Sequence, residues 1–89
     1  MDIKILKLTQ DSIKEMGISQ WPIWEKEVSS FSWLYEDTEE CFFTEGKVTV
    51  EIDDGRQFNI GKGDFVVFPK GLSCKWNIIE PVRKHYRFR

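Results

Sequence analysis

Apolar residues recur at every second position in short stretches that cover most of the chain after about residue 30. The pattern is clearest at Val48, Val50 and Ile52, which alternate with charged and polar residues, and it continues at Phe58 and Ile60. Side chains of a β-strand point alternately to opposite faces, so this period of two predicts strands with one buried face. We therefore expect an all-β core.

Turn-forming residues separate these stretches at regular intervals, at Gly46, 54–55, 61–63, 69–71 and Pro81. The dipeptide at 54–55 is Asp-Gly, which is typical of a two-residue type I′ hairpin turn. Seven or so short strands at this spacing indicate a β-sandwich or a closed barrel. A chain of 89 residues has room for a single domain of this kind.

The first part of the chain has a helical signal instead. A short helix is predicted over residues 9–17, where the hydroxyl of Thr9 or Ser12 can cap the first turn and Gly17 can end the last one. A helix this short is marginal by itself, so we expect it to dock on the sheet.

A tryptophan-rich connection over 18–28 follows the helix. Pro22 lies between two tryptophans and favours an extended backbone there, which predicts a segment that packs flat on the sheet. We thus predict one domain over 1–89, in which 1–28 hold an N-terminal strand, the short helix and this connection, and 29–89 form the barrel.

The overall charge excludes several classes of protein. The net charge is -2, from 13 basic and 15 acidic residues, whereas nucleic-acid binders usually carry a clear basic excess. No apolar run approaches the ~20 residues of a membrane helix, and the N-terminus lacks the apolar core of a signal peptide. We therefore expect a soluble, cytoplasmic protein that binds neither nucleic acid nor membrane.

Cysteine and histidine are scarce. The two cysteines, Cys41 and Cys74, form no Cys-x-x-Cys pair, and His85 is the one histidine of the chain. This composition excludes a structural zinc site of the usual kind. Because the chain is expected to be cytoplasmic, free thiols are the better interpretation than a disulfide.

Charge is distributed unevenly along the chain. Residues 25–54 carry ten acids and two bases, whereas 81–89 carry four bases and no acid. The favoured interpretation is that the strands bearing these charges pair in the fold, and the alternative is an anion-binding or partner-binding C-terminal edge. Strand parity predicts that His85 faces outward with Arg83 and Arg87, or lies in a subunit interface.

Two blocks of sequence resemble the signature of the cupin family. Gly63, five residues, Pro69, one residue and Gly71 match half of the second cupin motif, and Glu39 followed after six residues by Gly46 matches the first. The chain is similar to small single-domain cupins grouped with the ureidoglycine aminohydrolase-like cupins, whose small members are largely uncharacterised. The resemblance implies a cupin double-stranded β-helix, an RmlC-like jelly-roll barrel, with one short N-terminal helix.

The resemblance fails at the metal ligands. Metal-binding cupins carry two histidines before the glutamate and a third in the second motif, and these positions fall here on Trp33, Tyr35 and Cys74. Of the usual ligands only Glu39 is kept, which makes a poor site for iron or manganese. We therefore expect no tightly bound cofactor. A divalent transition metal held by Glu39 and Cys74 is the alternative.

The resemblance also implies which side chains line the barrel interior. They would form a concave, mostly apolar site for a small organic molecule, and the chain is thus predicted to be a small-molecule-binding cupin of unknown ligand. One alternative is a metal-assisted enzyme of the ureidoglycine aminohydrolase type, and another is a structural or interaction protein with a filled barrel. Exposed edge strands can pair with a second copy of the chain, so a homodimer is a further alternative. The predicted lining residues are Trp33, Tyr35, Glu39, Cys41, Cys74 and Trp76.

Overall fold

Seven antiparallel strands and one short helix make up the fold within residues 2–89, which a computed structural model describes; Met1, the first residue of the predicted domain, lies outside the described residues. The all-β class with one short N-terminal helix is therefore confirmed. The elements are β1 (Lys4–Lys7), α1 (Gln10–Glu15), a 3-10 turn (Ile18–Gln20), β2 (Ile23–Lys26), β3 (Ser29–Leu34), β4 (Glu39–Ile52), β5 (Gln57–Gly61), β6 (Asp64–Phe68) and β7 (Ser73–Phe88).

Two long strands, β4 and β7, organise the molecule because they pair with each other along the whole of β4. The first half of β4 also pairs with β6, and the second half of β7 with β2, which gives the order β1-β6-β4-β7-β2. The second half of β4 pairs with β5 instead, and the first half of β7 with β3. All seven strands form one hydrogen-bonded sheet, and β4 and β7 run through both of its halves, which are called the two sheets below.

A bulge in the middle of the long strands separates the two sheets. The β4–β7 register shifts between Phe43 and Val48, and Gly46 has a φ of 96°. A Cβ atom at Gly46 would lie 2.3 Å from the carbonyl oxygen of Pro81 on the facing strand. The prediction that Gly46 and Pro81 lie in turns was wrong, because both lie inside long strands that bend together at this bulge.

The hairpin between β4 and β5 also differs from its prediction. Only glycines have a positive φ among residues 2–89, and Gly55 is one of them with a φ of 89°. A type I′ turn would require a positive φ at Asp54 as well. The amide of Ile52 donates to the carbonyl of Arg56, so the loop holds three residues rather than two. Asp54 accepts bonds from Arg56 instead of entering the left-handed region.

The N-terminal segment is more regular than expected. The hydroxyl of Thr9 accepts a bond from the amide of Ser12 and caps α1, and Gly17 follows the helix with a φ of 67°. The predicted connection over 18–28 contains a strand, since β2 pairs with β7 from Ile23 opposite His85 onward. The sequence of β2 does not alternate, since two apolar residues are followed by two charged ones, so the period of two gave no signal there.

The uneven charges of the chain meet in the fold, as the favoured interpretation predicted. Glu40 lies in β4 and binds both Arg87 and Arg89 at 2.6 Å, while Arg83 and Glu25 pair at 3.4 Å across β7 and β2. The Nδ1 atom of the half-buried His85 lies 3.0 Å from the backbone oxygen of Trp21. Among residues 2–89 there is no helix that is both long and apolar enough to cross a membrane.

Candidate functional site

A cavity of about 220 Å³ opens where β3 ends, β4 begins and β7 ends. It is smaller than the ~300–1,000 Å³ typical of sites for drug-sized ligands, which suits a molecule of roughly one ring. Aromatic side chains dominate its walls, and only two lining residues carry a formal charge. The lining residues are Trp24, Phe31, Trp33, Tyr35, Glu39, Trp76, Lys84, Tyr86 and Phe88.

The aromatic walls hold each other in place. Phe31 stacks on Trp76 with ring centroids 5.9 Å apart and planes 19° apart. Trp24 meets the same indole edge-on at 5.7 Å. Tyr35 stacks on the fully buried Phe68 at 4.8 Å. Such pairs favour one geometry, so the walls are fixed before any ligand enters.

A buried ion pair forms the polar floor of the cavity. The Nζ atom of Lys84 lies 2.9 Å from Oε2 and 3.2 Å from Oε1 of Glu39. The side chains of the lysine and the glutamate are only 5% and 4% exposed. Glu39 begins β4, and Lys84 lies in β7 opposite Phe43 and Trp24. The pairing of the long strands is therefore what brings the two charges together.

Four aromatic rings surround the ammonium group of Lys84. Their centroids lie 4.7 Å (Trp76), 4.9 Å (Trp24), 5.7 Å (Phe43) and 5.8 Å (Phe68) from Nζ. The faces of aromatic rings attract cations within about 6 Å. This aromatic box thus compensates part of the cost of removing the lysine from water.

Tyr35 completes the polar floor. Burial raises the pKa of its phenol far above the ordinary value, and the negative charge of Glu39 and a hydrogen bond with that carboxylate act in the same direction. The hydroxyl therefore stays protonated at any physiological pH. It can serve as a fixed hydrogen-bond donor and it cannot act as a base.

The two thiols are neutral and belong to the core. Burial raises the pKa of Cys41 far above the ordinary value and that of Cys74 to about 11. Their Sγ atoms lie 3.6 Å from the oxygen of Val66 and 3.7 Å from that of Trp33, respectively. Metal binding and nucleophilic attack both need the thiolate, which these surroundings disfavour.

The side chains around the floor do not suit the metal that metal-binding cupins hold. The carboxylate of Glu39 is bound to the ammonium group of Lys84, so a metal ion there would meet a fixed positive charge. Cys74 lies outside the cavity lining and is protonated at neutral pH. Over residues 2–89, no three His, Cys, Asp or Glu side chains form a group that could hold a metal ion.

The structure brings together four of the six predicted lining residues. Tyr35, Glu39 and Trp76 lie at the cavity with their side chains buried, and Trp33 lies at its rim with half of its surface exposed. Neither cysteine lines this cavity. The buried Cys41 packs in the core, and Cys74 faces a separate shallow depression that it shares with Ser32 and Ser73.

Lys84 is the charged lining residue of the cavity that the sequence analysis missed. The strand parity that turns Tyr86 and Phe88 inward also turns Lys84 inward, and this signal was present in the sequence. It was overlooked because a lysine inside a strand is normally taken as solvent-facing. Trp24 was missed for a different reason, since it lies in the segment that was predicted to be a connection rather than a strand.

Comparison with known proteins identifies relatives of the whole chain. The family model for the EutQ-like cupin domain matches residues 13–86. A crystal structure of a DUF861 family protein from Thermotoga maritima is similar with a TM-score of 0.97 and 52% identity, covering 99% of this chain and 100% of that one. None of the curated proteins matches this chain significantly.

Two further solved structures share the fold over part of their length. The EutQ protein of Clostridium difficile has a TM-score of 0.69 at 20% identity, covering 97% of this chain and 66% of that one. A DUF861 family protein of unknown function from Pseudomonas syringae pv. tomato has a TM-score of 0.69 at 26% identity, covering 75% of this chain and 29% of that one. At 20% identity, the likeness to the Clostridium difficile protein concerns the fold alone.

Proposed function

Because the chain belongs to the EutQ-like cupin family, we propose that it binds a small organic molecule in the aromatic cavity between β3, β4 and β7. The cupin fold by itself supports no particular activity, since function resides in sites rather than folds. The supporting observation is the cavity itself. It has preformed apolar walls and a few convergent polar groups at its base, which is the usual composition of a small-molecule site.

The walls and the floor would play different roles in binding. The stacked rings of Phe31 and Trp76 supply an apolar surface, from which a ligand displaces water. Tyr35 and the Glu39–Lys84 pair supply hydrogen-bonding groups that fix the orientation of the ligand. The closer grouping with ureidoglycine aminohydrolase-like cupins remains a prediction from the sequence, and it supports no reaction here because the floor does not suit a metal ion.

A fragment screen tests this proposal. The ¹H–¹⁵N NMR spectrum of the protein is recorded with pools of single-ring compounds, and we expect hits that shift the indole N–H signals of Trp24, Trp33 and Trp76. A true ligand also raises the melting temperature, because binding at 100 times Kd stabilises the native state by about 2.7 kcal/mol.

A matched pair of variants localises the binding. Trp33→Ala removes a half-exposed rim residue and should weaken the hits, whereas Ile79→Ala removes a similarly exposed apolar residue outside the cavity and should leave them unchanged. A chemically diverse library without a single hit at millimolar concentration would contradict the proposal. It would favour the alternative of a structural protein with a filled barrel.

A further inference from the structure

The aromatic box around Lys84 limits which ligands the cavity can accept. Boxes of this kind commonly recognise an ammonium group of a ligand. Here the chain's own ammonium group already occupies the box, 4.7 Å from the centroid of Trp76 and 4.9 Å from that of Trp24. It also occupies both oxygens of Glu39. A cationic ligand would therefore find this box and this carboxylate already occupied.

The hydrogen-bonding capacity of the floor is not used up by the pair. An ammonium group has three N–H donors and no acceptor. Among residues 2–89, the side chain of Lys84 donates only to the two oxygens of Glu39. At least one N–H is thus left without an oxygen or nitrogen acceptor at the base of the cavity. A ligand that supplies an acceptor atom there would complete the hydrogen bonding of the lysine.

The charge balance of the floor selects among ligands that carry an acceptor. Glu39 and Lys84 cancel each other's charge, and both are almost fully buried. An anionic ligand would leave one uncompensated negative charge in this poorly hydrated place, and a cationic ligand one positive charge, and both are costly. An uncharged ligand keeps the balance and still offers an oxygen to the N–H group.

We propose that the cavity recognises a small, flat, uncharged molecule whose carbonyl oxygen accepts a hydrogen bond from the ammonium group of Lys84. This inference rests on the proposed function and specifies its ligand class. The ring of the molecule lies against the stacked pair of Phe31 and Trp76, and its carbonyl group points to the floor. The cavity volume of about 220 Å³ limits the ligand to roughly one ring with a short substituent.

Four probes that share one ring test the ligand class. Benzamide is uncharged and carries a carbonyl, benzoate is anionic, benzamidinium is cationic, and toluene has no acceptor. Their Kd values are measured at pH 7 by NMR titration. We expect benzamide to bind about tenfold or more tightly than toluene, equivalent to about 1.4 kcal/mol, and also more tightly than either charged probe.

A double variant assigns this preference to the floor. Glu39→Met with Lys84→Met removes both charges together, so neither is left buried without its partner. Tyr35→Phe is added to the double variant, because the Tyr35 hydroxyl would otherwise remain as a second donor at the floor. With both donors gone, the benzamide-to-toluene affinity ratio should fall to about one, whereas the single variant Tyr35→Phe and the control Ile79→Ala should keep the ratio of the parent protein. A ratio that persists in the triple variant would overturn the role of Lys84.

The outcomes separate this inference from the proposed function. If toluene binds as tightly as benzamide, or if benzamidinium or benzoate binds most tightly, the ligand class is wrong while the binding site stands. If none of the four probes binds at millimolar concentration and the broader screen gives hits elsewhere on the cavity lining, the inference fails alone. If the broader screen is also empty, both fail.

Discussion

Replacing Lys84 by methionine should destabilise the protein strongly, although the two side chains have similar length. The substitution leaves the carboxylate of Glu39 only 4% exposed and without its countercharge. Breaking a buried ion pair on one side costs about 3–5 kcal/mol. Domains of this size are stable by about 5–15 kcal/mol in total. For so short a chain we expect the melting temperature to fall by at least ~12 °C.

The opposite substitution should cost less. Glu39→Met leaves the ammonium group of Lys84 without its carboxylate but inside its box of four rings, and cation–π contacts are worth about 0.5–2 kcal/mol. The double variant should be more stable than the Lys84→Met single variant, because it buries no lone charge.

Urea unfolding at pH 7, followed by tryptophan fluorescence, measures all three variants against the parent protein. The three values form a double-mutant cycle, and we expect a coupling free energy of at least ~2 kcal/mol between the two positions. The reasoning is refuted if either of two results is found. One is that each single substitution costs less than about 1 kcal/mol, as for solvated pairs. The other is that the two costs simply add.

Three further predictions follow from other parts of the fold. Gly46→Ala should cost more than about 2 kcal/mol in urea unfolding, because its Cβ would meet the facing backbone, whereas Gly55→Ala, with a similar φ and open space, should cost less. Hydrogen bonds from Arg89 and Arg87 lower the pKa of Glu40 below its ordinary 4.5. Glu40→Gln should thus be less stable than the parent at neutral pH, and thermal unfolding should show this difference shrinking as the pH falls below 4.5. Ellman's reagent at pH 8 should leave Cys41 and Cys74 unmodified in the native protein and modify both in urea, and rapid native reaction would contradict their burial.

The strand content was readable from the sequence, but the strand lengths were not. Alternation at Val48, Val50 and Ile52 gave the correct strand and the correct buried face. Gly46 and Pro81 were interpreted as turns, since local sequence cannot tell a turn from a bulge. The difference is decided by the facing strand, where the carbonyl of Pro81 occupies the space that a side chain at position 46 would need.

The candidate site was predictable where the family resemblance implies which side chains line the interior, and not where it depends on strand pairing. The resemblance implies that Tyr35, Glu39 and Trp76 line the barrel, and all three line the cavity. It could not show that Lys84 would lie opposite them, because that contact depends on how β4 and β7 are aligned across a long stretch of chain. The cysteines were expected to line the same interior, but Cys41 is fully buried in the core and Cys74 faces a separate depression.

The sharing of β4 and β7 by both sheets has a consequence for how the chain reaches its native state. Their ladder runs from Ile52 opposite Cys74 to Glu39 opposite Phe88, so every rung joins segments far apart in sequence. Closing such loops costs entropy before any contact stabilises them, and topologies rich in distant pairings fold slowly. Both sheets contain this ladder, so neither can form before it does. We therefore expect single-step folding on the millisecond-to-second scale, with amides of both sheets exchanging hydrogen only through global opening.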